Sequence, residues 1–149
     1  MATTEDANLI LKLYELRTEE VMRKARNFVF AEFNPQSVDE IMALFADLEH
    51  PERNAYFRQV VSYWDMAASL VNHGAINPEV FYDTNGEYLA VWAKFGEFVP
   101  KLRETLGPQF LANLEKMIQN QPDGMERAQL FRERFKQWAA MRAAQGKAS

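Results

Sequence analysis

Between Phe57 and Val71 the apolar residues Phe57, Val60, Val61, Trp64, Ala67, Ala68 and Val71 recur at i, i+3 and i+4 without a gap. That spacing lays one stripe along an α-helix and fits no strand, in which alternate residues share a face. The same period runs through most of the chain, and sustained two-residue alternation of β-branched residues occurs nowhere. Stripes of this kind must be buried against one another, so the sequence predicts an all-α, single-domain helical bundle. With 149 residues it is long enough for one core, burying roughly 70% of its unfolded surface.

Turn chemistry sets the boundaries, since most of the six prolines and six glycines fall between periodic segments. The first helix is expected over Thr4–Phe33. Its apolar face drifts near "LRTEEV", where Thr18 could cap a second helix in line. Ser37 with Glu40 reads as a capping box for a helix carrying Val38, Ile41, Met42, Leu44, Phe45 and Leu48. Pro51 suits the first turn of a third helix, which ends near Asn72 with Gly74 as its left-handed stop. Asn77-Pro78-Glu79 opens a short fourth helix. Thr84 with Glu87 reads as the capping box of a fifth, kinked at Pro100 and stopped at Gly107-Pro108. The sixth spans about 109–120, the seventh about 124–144, and the tail at 145–149 frays. The expectation is six or seven helices, with the first, third, fifth and seventh long. The expected core is Phe28, Phe45, Phe57, Val61, Trp64, Ala68, Val91, Trp92, Phe95, Leu102, Phe131 and Phe135.

Several chemistries are excluded by residue type. There are no cysteines, hence no disulfides, thiolate metal sites or cysteine nucleophiles, which suits a reducing cytosol. No segment approaches the roughly 20 apolar residues that span a bilayer, and Glu5 and Asp6 precede the apolar run "NLILKLYEL", where a secretory signal wants positive charge. A cytoplasmic protein without membrane insertion is expected. The net charge of −4 argues against nucleic acid as partner, but it is uneven. Residues 1–122 carry eleven Lys or Arg against eighteen Asp or Glu, and residues 123–149 carry six against three.

The stretch "DTNGEY" at 83–88 has calcium-ligand residue types in the wrong register. Counted from Asp83 the glycine falls at position 4, not 6, and position 12 is Lys94, which cannot be a bidentate ligand. A helix junction uses the same residues without strain. Asp65, Ser69 and His73 lie in one helical row, but a triad needs its base between nucleophile and carboxylate. Here Asp65 and His73 are about 12 Å apart along the axis, so His73 reads as a helix-end histidine. The chain has two histidines and no Glu-x-x-His, so a di-iron bundle is rejected. No phosphate loop, nucleophile elbow or dinucleotide fingerprint occurs. No catalytic residue, cofactor or metal is therefore assigned.

Two clusters remain. Asp65 lies at the edge of the third helix's stripe and Arg103 at the edge of the fifth's, on the side of Trp92. If those helices pack together the two would pair, and Tyr63, Asp65, Trp92 and Arg103 would form either a structural bridge or the polar end of a ligand pocket. The last helix, "MERAQLFRERFKQWAAMRAAQ", rings an apolar stripe with cations. Its Arg127, Arg134, Trp138 and Arg142 form a candidate interaction face.

The stretch from Phe57 to Glu104 resembles a family of small bacterial helical domains of unknown function. The resemblance rests on Phe57, Trp64, Gly74, Ile76, Phe81, Trp92, Leu102 and Arg103, with "EVMRKARNFVFAEF" before them. It covers about 18–106 and leaves the helices at 109–144 outside. Members often carry an N-terminal membrane helix, for which this sequence offers no apolar segment. The resemblance implies the helical fold and no reaction. Eleven Phe, seven Met, five Tyr and three Trp exceed one core's needs. The expected function is thus a non-enzymatic interaction or regulatory domain whose partner is a protein, itself or another, a homodimer included. The alternative is a binder of a small anionic or planar ligand, or an enzyme, using a pocket between the third and fifth helices.

Overall fold

The computed structural model describes the backbone of residues 1–148 and the side chains of 1–146. The first expected helix is two. α1 (Thr4–Thr18) is opened by Thr3, whose hydroxyl accepts from the Asp6 N–H while the Asp6 carboxylate accepts from the Thr3 N–H. It stops at Glu19, whose backbone is extended and whose carboxylate accepts from the N–H groups of Val21 and Met22 at the start of α2 (Glu20–Asn27). The cap is thus Glu19; the Thr18 hydroxyl donates to the Glu15 carbonyl instead. α2 then widens into a π-helical turn at Phe28–Glu32.

α3 (Val38–Ala46) begins with the Ser37 hydroxyl accepting from the Glu40 N–H. α4 (Pro51–Asn72) is the central helix, with Phe57, Val60, Trp64, Ala67 and Ala68 fully buried. Gly74 follows with φ +79°, the left-handed stop the sequence predicts. α5 (Pro78–Thr84) is capped by Asn77, which accepts from the Val80 N–H. α6 (Glu87–Phe95) is buried on all sides from Tyr88 onward. A 3-10 turn at Gly96–Phe98 bends it into α7 (Val99–Leu106), so Pro100 occupies the first turn of a new segment and breaks no interior hydrogen bond. α8 (Ala112–Asn120) and α9 (Gly124–Ala148) complete the chain.

Counting α6, the turn and α7 as one bent helix, the described residues hold eight helices and no strand, more than the six or seven expected. The difference is the break at Glu19. α2, α3 and α8 pack on α4, while α9 lies against α6 and α8. The expected core is buried except at Phe45, Phe131 and Phe135. Phe45 sits at the lip of an open groove, and the other two lie on a helix covered along one side only. α9 is described through Ala148; Ser149, the last residue of the tail, lies outside the described residues.

Candidate functional site

Asp65 and Arg103 do not pair. α8 comes between them and takes both. The Asp65 carboxylate accepts from the Leu114 N–H at 2.9 Å and from the Asn113 side-chain amide at 3.0 Å. Leu111, at φ +53°, leads into α8 and offers no side-chain cap. Asp65 therefore caps α8 from another helix, satisfying a donor that a helix start leaves open. Asn72, two turns further along α4, donates to the Asn113 carbonyl at 3.0 Å. Arg103 donates to the Phe110 carbonyl at 2.9 Å and to Glu115 at 3.2 Å. Register is the physical reason: the α4 and α7 edges converge on the start of α8, not on each other.

Tyr63 faces elsewhere, donating to the Leu13 carbonyl of α1. Trp92 is buried under Gly96, where an added Cβ would lie 2.8 Å from the indole. Of the four residues, Asp65 alone lines an apolar groove, an open space of about 580 Å³ bounded by Phe45, Phe57, Leu106, Phe110 and Leu111 among others. The four do not share a pocket. His73 ends α4 with Nδ1 2.8 Å from the Ser69 carbonyl, a helix-end placement. Residues 83–87 form the α5–α6 junction, and no group of three His, Cys, Asp or Glu among the described residues is placed to hold a metal ion.

Glu87 was expected to cap its own helix with Thr84, and it does not. The Thr84 hydroxyl donates back into α5, to the Val80 carbonyl. The Glu87 carboxylate instead receives three bonds from Arg26 of α2, at 2.7, 2.9 and 3.0 Å, and one from the Trp64 indole at 3.2 Å. This fork-to-carboxylate pair ties three helices at a half-buried point, and its hydrogen bonds raise the Arg26 pKa.

The group most at odds with its surroundings is Lys94. It sits among buried residues of α6, and its ammonium donates to the carbonyls of Val29 and Phe33 at 2.6 Å and Phe30 at 3.3 Å. These are carbonyls that the π turn and the helix end leave free, at the negative end of the α2 dipole. The Phe135 ring of α9 roofs the ammonium at 5.2 Å. No carboxylate among the described residues bonds to it. Burial, helped by the positive charge of Arg142, pushes its pKa down to about 8. Lys94 closes a helix end, and its three donors are used in doing so. Its sequence signal is its position between Val91 and Phe95 in the apolar run, a charge where the period demands none.

The cationic face is on the surface. α9 buries Gly124 and Ala128 and half-buries Phe131, Arg132 and Phe135; from Lys136 to Gln145 every residue is exposed. Arg127, Leu130, Arg134, Trp138 and Met141, spaced 3, 4, 4 and 3, form one outward stripe. Trp138 is 47% and Met141 60% exposed. Arg142 lies beside that stripe, toward Lys94. The Phe135 and Trp138 rings meet edge to face at 5.6 Å.

A second groove, about 430 Å³, runs between the π turn, α3 and α4. Its floor is Phe28, Phe33 and Leu44, and its rim carries Glu32, Glu40, Asp47 and Arg53. The family model Domain of unknown function (DUF4760) matches residues 2–121. The chain belongs to this family. The match is wider than the resemblance at 18–106, since it takes in α1 and α8. It ends at Gln121, so the DUF4760 match covers the packed body, and α9 with its cationic stripe lies beyond it. Neither a curated protein nor a solved structure matches the chain. No helix among the described residues is long and apolar enough to cross a membrane.

Proposed function

We propose that this DUF4760 protein is a non-enzymatic, cytoplasmic interaction domain that docks a protein through the outer half of α9. One observation carries the reading: every residue of the helix from Lys136 to Gln145 is exposed, and it presents Trp138 and Met141 between arginines. Isolated helices of fewer than about 12–15 residues are marginal in water. A helix end of this length gains stability from a surface that covers its apolar side. Large aromatic and arginine side chains are also the types that dominate binding energy at interfaces.

A ligand-binding reading is favoured by one observation, the groove beside Asp65, whose apolar walls suit a planar molecule. The two readings separate in a native mass spectrum of gently purified protein, wild type beside Trp138→Ala. The docking reading predicts added protein mass on the wild type, lost in the variant. An adduct of small-molecule mass on a monomer, equal in both, would overturn it in favour of the groove.

A further inference from the structure

We propose that the partner α9 docks on is a second copy of this chain, with the outer half of α9 lying in the acidic groove between the π turn, α3 and α4. The inference rests on the docking reading above and names its occupant. The groove has what α9 lacks. From Glu32 to Glu52 the chain carries six carboxylates and no Lys or Arg. Three of the six, Glu32, Glu40 and Asp47, stand on the groove rim. Each accepts a local bond, from Asn27, Gln36 and the 49–50 backbone respectively. Arg53 stands 3.9 Å from Asp47 and offsets one charge. Between the carboxylates the floor is aromatic and aliphatic, and Leu48 beyond the rim is 92% exposed.

α9 presents the complement. Residues 124–146 hold five Lys or Arg against two Glu. Trp138 and Met141 sit at i and i+3, one turn apart, with Arg134 and Arg142 each four residues from Trp138. An apolar pair between cations matches an apolar floor between carboxylates, both in pattern and in sign. The exposed part of the helix, residues 136–146, reaches about 15 Å beyond its packed half. Because every copy carries both the tail and the groove, a twofold axis lets two chains exchange α9 reciprocally and closes the assembly as a dimer.

A charge-exchange experiment decides it. One variant, Arg134→Glu with Arg142→Glu, has an acidic tail and an acidic groove. A second, Glu32→Lys with Glu40→Lys, has a basic tail and a basic groove. Far-UV circular dichroism and a thermal melt establish that each folds. Sedimentation equilibrium should give a dimer for the wild type, at least tenfold weaker at 1 M salt than at 0.1 M. Each variant alone should dissociate at least tenfold more readily, and their equimolar mixture should recover a heterodimer, because both contacts are then complementary. A wild-type dimer that neither variant weakens, or a mixture that stays monomeric, overturns the inference. So does a wild-type monomer. Because Glu40→Lys removes an N-terminal helix charge, Trp138→Ala serves as a second route and should also dissociate the dimer, while its melting temperature in dilute, monomeric solution stays that of the wild-type monomer. If the wild type is monomeric yet holds a different protein through Trp138, the second-copy inference fails while the docking reading stands.

Discussion

At the scale of single residues, the polar side chains inside this fold close helix ends belonging to other segments. Asp65 caps α8, Lys94 closes the end of α2, and the Asp6 carboxylate accepts from the Asn77 N–H that opens α5. Each act leaves a consequence. Asp65→Ala strands the Leu114 N–H at a half-buried site and should cost about 1–2 kcal/mol in urea unfolding; a change within error would mean that Asp65 is dispensable to α8. For Lys94 the sign follows from its depressed pKa. The unfolded amine, near 10.5, holds its proton at pH values where the folded one, near 8, has lost it. Its contribution is therefore present above about 10.5 and lost as pH falls through about 8, so stability relative to Lys94→Met should rise between those values. Measured unfolding free energies of the two proteins across pH 7.5–10 would expose a flat difference if the amine titrates normally. Tyr63 and Tyr88, raised to about 12 by burial, act in the opposite sense above pH 10, since their folded forms keep protons that the unfolded forms release.

At the scale of helices, what was legible was periodicity, and what was not was partnership. The stripe on α4, the Asn77-Pro78 start of α5 and the Gly74 stop of α4 are local facts, written in neighbouring residues. Glu87 shows the limit. Thr84-x-x-Glu87 is a capping box by spacing, but Arg26, 61 positions earlier, and Trp64 offer the carboxylate a stronger fork and an indole. The Asp65–Arg103 pairing failed for a related reason: helical wheels place both on inner edges but cannot say that α8 will occupy the gap. Tyr63, Asp65, Trp92 and Arg103 are all buried or half-buried, as their places on the helix faces predict, but each turns to a different neighbour. The exposed cations of α9 were readable from the excess of arginine around one stripe, whereas the exposure of its outer half depends on where α6 and α8 end. Gly124 marks the α8–α9 corner, where an added Cβ would lie 2.1 Å from the Ile118 carbonyl oxygen. Gly124→Ala should therefore lower the melting temperature by several degrees, of order 2 kcal/mol, by prying α9 off its seat; an unchanged melt would show that the corner can open at no cost.

At the scale of the whole molecule, charge is divided between parts. The body matched by the family is acidic, and the helix beyond it is basic. Within one chain α9 uses its inner half to cover α6 and exposes its outer half. Its two halves should differ sharply in local stability, because local opening tracks contact density. Amide hydrogen exchange followed by mass spectrometry, over a hundredfold range of protein concentration, tests this most directly. The account predicts that amides of 137–145 exchange fast in dilute protein and become protected as concentration rises, together with those of α3. Protection of 137–145 that is already complete at the lowest concentration, or absent at the highest, would contradict it.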